Sequence, residues 1–399
     1  MASSVYVGAV PSVLAPIFIR ELAQSYENPT AVWGVLAAVA VLVSALVVLA
    51  AASLAARINR FTLLTALTAG LMAAMAALAW NPNASLAQAA LAFVAAQSFY
   101  FAAMAIYESF LPEIAPAAAR QRLSGFGWAI GYLGGITAII MLLVLVAGRP
   151  AGLDVIAHCF GALVLLSGAA YAVILPAMRW QGFGQMQRPV GTAQLQGVLA
   201  AIRNWRSNWG VFQLLLGTML IQMGIFVVMT FTAPILADRF GQSLEDLLWL
   251  LLVIHVVAVP STLVWSRLMT GTSRAAATLL LISSWGVVLL LLAFGSGPWM
   301  PLLTVTVIGF CLGPTFSGLR GFLAESAGSS DSVALFALST AAGRIAAALG
   351  PALFSGILFL VGAEVALLFI FVVLAIGGAI VLNRIRQDVV AVAAPEPAD

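Results

Sequence analysis

The chain has 399 residues, 63% of them hydrophobic and 8% charged, with 17 basic and 14 acidic side chains and a net charge of +3. A soluble domain carries about 25% charged residues, so this composition excludes a globular domain dissolved in water. Two cysteines, far apart in apolar stretches, exclude a disulfide framework, and the absence of a basic tract excludes a nucleic-acid partner.

Twelve apolar stretches follow one another, near 5–19, 31–56, 62–80, 85–111, 124–147, 154–178, 208–236, 246–266, 275–295, 299–319, 333–359 and 363–382. Each can cross a bilayer as a helix of about 20 residues. None alternates with the period of a barrel strand, so backbone groups in lipid must be satisfied inside helices. The expected fold is an all-α membrane protein with twelve transmembrane helices. All seventeen basic residues are arginine, and thirteen fall on one side of the threaded spans: Arg57, Arg60, Arg120, Arg122, Arg179, Arg188, Arg203, Arg206, Arg267, Arg274, Arg320, Arg384 and Arg386. The other side holds Arg20, Arg149 and Arg239, and Arg344 lies inside span 11. Positive loops mark the cytoplasm, which predicts an integral multi-pass protein with both termini cytoplasmic and no cleavable signal before span 1. A lysine-free, alanine-rich chain fits a bacterium with a GC-rich genome, hence an inner (plasma) membrane location.

The longest polar stretch, 179–207, separates six spans from six. Its first part, Gln181–Gln187, is rich in Gly and Gln, and Leu195–Trp209 fits a short amphipathic surface helix. The expected domains are an N-terminal six-helix bundle (1–178), a cytoplasmic central loop (179–207), a C-terminal six-helix bundle (208–386) and a disordered cytoplasmic tail (387–399). The halves echo each other at an offset of 212 residues. Phe110-Leu-Pro-Glu-Ile-Ala115 after span 4 matches Phe322-Leu-Ala-Glu-Ser-Ala327 after span 10, and Gly131 falls on Gly343. Parallel six-helix repeats around a midplane site are a transporter architecture.

The motifs narrow this further. Glu108-Ser-Phe-Leu-Pro-Glu-Ile-Ala115, Leu123-Ser-Gly-Phe-Gly-Trp-Ala-Ile-Gly-Tyr-Leu-Gly-Gly135 and Phe336-Ala-Leu-Ser-Thr-Ala-Ala-Gly-Arg-Ile-Ala-Ala-Ala-Leu-Gly-Pro351 stand at matching places in the two halves. They resemble the autophagy-linked vacuolar amino-acid effluxer family and its bacterial relatives, within the major facilitator superfamily. The resemblance implies two pseudo-symmetric six-helix bundles and secondary transport, with amino acids or similar small metabolites moving outward by alternating access. Departures from the pattern stand out. Ala2-Ser-Ser-Val-Tyr6 corresponds to the tail of an acidic, aromatic opening segment, as from a truncated or internal start. The Asn-Asp-Gly of span 7 is Gln222-Met-Gly224. The superfamily's loop signature after span 2 is reduced to Ala52-Ser-Leu-Ala-Ala-Arg57-Ile-Asn-Arg60, without its aspartate and glycines.

The candidate site residues follow. Arg344 lies about nine residues into span 11, roughly 14 Å along a helix, and costs on the order of 3 kcal/mol in lipid. It must face the protein interior, as an anchor for a substrate carboxylate or phosphate or as a structural ion pair or carbonyl clamp. Gln97, Phe101, Met104 and Glu108 share one stripe of span 4, and Thr218, Gln222 and Phe226 stand four apart in span 7. These read as cavity walls or as interhelical hydrogen-bonding residues. Glu108 and Arg320 superimpose under the repeat offset. The resemblance places their helices on the central cavity, where they would close the cytoplasmic mouth unless each bonds locally. Glu113 with Arg120, Arg57, Arg60 and Glu325 form a loop charge set, a latch or solvated charges. Gly127, Gly131 and Gly135 in span 5 and Gly343 and Gly350 in span 11 allow close helix approach, as hinges or ordinary packing. His158 and His255 have no second ligand at metal spacing; His255 can titrate near neutral pH or serve as a structural hydrogen-bonding group.

No catalytic cluster, nucleotide loop or metal set appears, so the sequence predicts a non-enzyme without cofactor. Expected partners are a small anionic or zwitterionic solute, the lipid bilayer and a coupling ion such as H+, with the protein monomeric. The alternative is a transport-incompetent relative that acts as a membrane sensor or assembly partner.

Overall fold

The computed structural model describes residues 6, 9–55, 58–81, 84–108, 110, 117–149, 152–182, 209–268, 274–326 and 332–393, with side chains outside the description at 49, 52–53, 108, 117–129, 211, 266–268, 274–275, 316–326, 332–341 and 385–393. Twelve helices account for nearly all of it. Helix α1 opens as a π-turn at Val10–Leu14 and continues as Ala15–Leu22. It is followed by α2 (Pro29–Ala55), α3 (Arg60–Trp80), α4 (Leu86–Glu108), α5 (Ala117–Val146) and α6 (Leu153–Trp180). The second half repeats the series: α7 (Trp209–Phe240), α8 (Leu244–Leu268), α9 (Arg274–Phe294), α10 (Met300–Ser326), α11 (Ser332–Val361) and α12 (Ala363–Ala393). Nine are long and apolar enough to cross a membrane, and two shorter apolar stretches, Ile130–Val146 and Met300–Thr315, join them among the described residues.

Local chemistry sets the helix ends. A helix start leaves backbone N–H groups without partners, and side-chain oxygens take them. Asn28 Oδ1 accepts from Ala31 N at 3.0 Å, and Asn59 Oδ1 from Phe61 N and Thr62 N at 2.9 and 3.2 Å. Ser85 with Gln88 and Ser243 with Asp246 form reciprocal capping boxes on α4 and α8. Between α11 and α12, Gly362 takes φ 92° and its N–H donates to the Leu358 carbonyl at 3.1 Å, a turn that a Cβ would strain. The last helix runs past the expected boundary at 386 to Ala393. The surface helix expected at Leu195–Trp209 lies outside the described residues up to position 208.

Packing follows the repeat. In the first half α4 packs on α2 and α3, and α3 on α6; in the second, α10 packs on α8 and α9, and α9 on α12, so adding six to each number maps one set on the other. The two broadest contacts between the halves, α2 with α11 and α5 with α8, are exchanged by the same rule, and α1 and α2 also meet α7. At the α7–α12 crossing Gly217 and Gly377 face each other, each leaving room for the other's backbone: a Cβ on Gly377 would stand 2.7 Å from the Gly217 carbonyl.

The surface is the reverse of a water-soluble protein's. Leu91, Val144, Leu165, Val173 and Leu360 are all exposed, as lipid-facing side chains must be. Exposed aromatics gather at the helix ends. Tyr26, Trp80 and Trp299 mark one end, called here the Arg20 face; Tyr107, Trp180 and Trp209 mark the other, the Arg60 face. Two such girdles are the signature of membrane–water interfaces. The chain is a multi-pass membrane protein.

Candidate functional site

Near the Arg20 face the halves are sealed together. Arg20, two residues before the end of α1, forms a salt bridge with Asp238, two residues before the end of α7. Thr30 of α2 donates to the same carboxylate at 3.4 Å, and Arg20 also reaches the Pro234 carbonyl at 3.5 Å. One helical turn deeper, Pro234 has no N–H to give the carbonyl four residues back, that of Thr230. That carbonyl accepts the indole N–H of Trp33, from the other half, at 3.1 Å. A proline inside α7 thereby makes a docking point for α2. Beside it, Gly34 lets α2 lie directly on the second half: a Cβ there would fall 1.8 Å from Ser355 Oγ and 2.4 Å from Phe231 Cζ. The Phe231 and Phe354 rings back this contact, 4.3 Å apart.

The second bridging seam joins α5 to α8. The His255 ring fills the space that glycine leaves at position 135, with a Cβ there 2.8 Å from Cδ2 and 2.9 Å from Nε2. Tyr132 meets the same ring edge-on at 6.0 Å.

At mid-depth the halves meet through charge and π electrons. Arg344 stands twelve residues after the start of α11, roughly 18 Å along the helix. Its guanidinium carbon lies over the Phe101 ring of α4, 3.7 Å from the centroid. A desolvated cation–π contact contributes about 2 kcal/mol or more, comparable to the insertion cost of an arginine. Gln222 of α7 reaches the same turn of α11, for a Cβ on Gly343 would stand 2.6 Å from its Oε1. One turn above Phe101, Gln97 Oε1 accepts the buried Tyr6 hydroxyl at 2.7 Å, and Tyr6 packs on Tyr100 at 5.0 Å. That bond leaves the Gln97 amide N–H groups as donors. Met104 is half-buried beyond Phe101.

Arg344 and Phe101 therefore meet across the halves, Gln222 reaches the adjoining Gly343 from α7 of Arg344's own half, and Gln97 shares the Phe101 stripe. The other predicted residues are placed differently. Phe226 packs with Val41, Ala347 and Ala348, where it plugs the space between α2 and α11. Thr218 is buried, and its hydroxyl donates to the Leu215 carbonyl of its own helix at 2.9 Å, so it does not join them. Of the glycines, Gly135 faces the other half. Gly343 and Gly350 face α7 of their own half, Gly350 so closely that a Cβ would lie 2.6 Å from the Met223 carbonyl. Gly131 is buried. Arg60 is buried over the Phe110 ring at 4.9 Å, within the first half. His158 bonds the Asp154 carbonyl at 2.6 Å. Glu108, Arg320, Glu113, Arg57, Arg120, Glu325 and Gly127 lie outside the described side chains. Among the described residues no three His, Cys, Asp or Glu side chains gather as a metal set.

No protein-family model and no curated protein matches the sequence. Solved structures do match its shape. A bacterial homologue of the human lysosomal transporter Spinster, inward-facing and unoccupied, superposes with TM-score 0.66 at 15% identity, over 100% of this chain and 98% of that one. The xylose transporter XylE of E. coli, in a partially occluded inward-open conformation, gives 0.68 at 14% identity over 96% and 95%. A mutant of the nucleoside transporter NupG gives 0.66 at 13% identity over 96% and 98%. The chain has the major facilitator fold. In this fold the paired α2–α11 and α5–α8 seams join the two halves of the chain.

Neither the Arg20–Asp238 pair nor Trp33 and Gly34 stands out in the sequence pattern. Two signals were present. Arg20 and Asp238 each stand two residues before the end of repeat-related helices with opposite charge, and Pro234 within an apolar span announces a carbonyl in need of a donor.

Proposed function

We propose that the protein is a secondary transporter that carries a small anionic or zwitterionic metabolite, an amino acid or similar solute, by alternating access of its two bundles. The observation that carries this reading is Arg344. A permanent positive charge at mid-membrane is held between the halves on an aromatic face, with the carboxamide of Gln222 against the adjoining Gly343. A guanidinium offers a planar fork of donors that a carboxylate can engage in two places at once. Phe101, from the opposite bundle, supplies an apolar surface against which the rest of a small solute can lie, and the Gln97 amide supplies further donors.

The seal near the Arg20 face gives the cycle its first state. With α1, α2 and α11 locked on α7, and α2 on α11, at that face, solute reaches Arg344 from the Arg60 face. The arginine bias makes the Arg60 face cytoplasmic, so the conformation is inward-facing in a bacterial inner membrane and fits a solute exported from the cell. Glu108 and Arg320, at the Arg60-face ends of α4 and α10, form the opposing gate when the bundles rock, with Glu113, Arg57, Arg60, Arg120 and Glu325 as the loop charges around it. The fold supports rocking of this kind.

Binding of labelled solutes to the purified protein tests the assignment. Anionic and zwitterionic amino acids are expected to bind and their amide or cationic analogues to fail, with Arg344→Ala removing binding at unchanged protein abundance. Equal binding by wild type and Arg344→Ala would overturn it.

A further inference from the structure

Among the described residues every carboxylate stands in a loop or near a helix end. Asp154, Asp238, Glu245, Asp246 and Glu364 are each within three residues of a terminus of their helix, and Asp388 lies beyond the apolar part of α12. Among the described residues no carboxylate is therefore placed to exchange a proton at mid-depth. The imidazole of His255 is, eleven residues from the start of α8 and thirteen from its end.

The ring's two nitrogens have different surroundings. Nδ1 lies 2.9 Å from the Leu251 carbonyl. A carbonyl only accepts, so Nδ1 carries the hydrogen and Nε2 is left with its lone pair. That lone pair points across the seam at Gly135 of the other bundle, with Tyr132 edge-on beside it. The titratable or charged groups of the helices packed on α8 are few among the described side chains. Tyr132 on α5 touches the ring; α10 carries Cys311, α1 carries Arg20 and Glu21 with Tyr6 ahead of it, and α7 carries Asp238 and Arg239, of which Arg20, Glu21, Asp238 and Arg239 sit at the Arg20 face.

We propose that His255 Nε2 is a proton-binding site whose occupancy is coupled to the α5–α8 seam, empty when the bundles close on it and filled when they part. A proton added to Nε2 makes an imidazolium whose new N–H meets the glycine backbone. A buried charge without partner or water is costly, so the closed seam holds the neutral ring. When the bundles separate, water reaches Nε2 and the charged form is solvated. Closing again returns that proton to the water on whichever face is open. The linkage has one sign: protons bind the parted state, so acid populates it, by at most tenfold per pH unit for a single site. A substrate need not be present.

The test is a distance. Spin labels are placed at Ala147→Cys and Gln242→Cys, at the Arg20-face ends of α5 and α8, with the buried Cys159 and Cys311 replaced by alanine. In nanodiscs the wild-type background is expected to shift toward longer distances between pH 8 and pH 5, with the slope of one proton. His255→Gln is expected to hold one distribution throughout. Gly135→Ala, whose methyl group invades the ring's space, is expected to give the long distance at pH 8 and so confirms that the seam is what the labels read. A wild-type distribution independent of pH, or the same pH response in His255→Gln, would overturn the proposal. Either result leaves the transport reading standing, because no solute enters the measurement.

Discussion

Gly34→Ala is the smallest change that attacks the seal between the bundles. The added methyl carbon would stand 1.8 Å from Ser355 Oγ and 2.4 Å from Phe231 Cζ, where carbon contacts of about 3.5–4.0 Å are comfortable. Neither neighbour yields freely. Ser355 Oγ donates to the Pro351 carbonyl at 2.7 Å, and the Phe231 ring rests on Phe354. Overpacking of this kind costs roughly 1–3 kcal/mol. Here the strain exists only while the bundles touch, so it shifts the closed-to-open ratio at the Arg20 face by roughly 5- to 140-fold and leaves overall folding little changed. Labels at Glu27→Cys and Val361→Cys, both exposed near that face, read the separation of α2 and α11. The expected result is a longer mean distance in Gly34→Ala. Ser355→Ala in the same chain removes the nearer of the two clashes and recovers part of the shift. If Gly34→Ala and the double variant both superimpose on wild type, the seal is not where the structure puts it.

Other parts of the seal give smaller effects in the same assay. Trp33→Phe removes the indole N–H from the Thr230 carbonyl, and Pro234→Ala gives that carbonyl a competing N–H from its own helix; each is expected to weaken closure by about 1 kcal/mol. Asp238 is half-exposed, so the salt bridge with Arg20 contributes no more than about 1 kcal/mol. Arg20→Asp and Asp238→Arg are each expected to favour separation, and the double swap to restore closure, whereas additive loss would show that the two do not act as a pair. Away from the seams, Asn59→Ala removes the cap of α3 and is expected to lower stability by about 1 kcal/mol in a thermal melt, with no change in either label distance.

The helix order was legible from the run of apolar stretches, and several ends carry a further signal that hydropathy does not use: Asn28, Asn59, the Ser85–Gln88 and Ser243–Asp246 boxes, and Gly362. Boundaries drawn from hydropathy fell short where helices outrun the bilayer. Helix α5 begins at Ala117 rather than 124 and α10 continues to Ser326 rather than 319, because Arg120, Gln121, Arg122, Arg320 and Glu325 are sound helix formers that lipid rejects. Hydropathy reads the thickness of the solvent, not the length of the helix.

The site was half legible. An arginine inside an apolar span had to face protein, and the 3.6-residue stripe gathered Gln97, Phe101 and Met104 on one face of α4. Which stripe residue meets Arg344 depends on how two bundles are set against each other, and no periodicity within one helix encodes that. Trp33 and Gly34 sit in an apolar run where nothing separates a lipid-facing position from a seam. Thr218 shared the spacing of Gln222 but bonds its own backbone, a choice that threonine makes in helices whenever no outside partner is nearer. Proline was the overlooked clue. The carbonyl four residues before Pro314, that of Phe310, accepts Ser261 Oγ at 2.5 Å, as the Thr230 carbonyl before Pro234 accepts Trp33. In one case the bond ties two helices of a bundle; in the other it ties the bundles together.

Counterflow in proteoliposomes addresses the central assignment most directly. Vesicles loaded with an unlabelled zwitterionic amino acid and diluted into its labelled form are expected to accumulate label with wild type and to accumulate none with Arg344→Ala reconstituted at equal density. Accumulation by Arg344→Ala at the wild-type rate would contradict the account, because the guanidinium between the bundles would then hold structure and not solute.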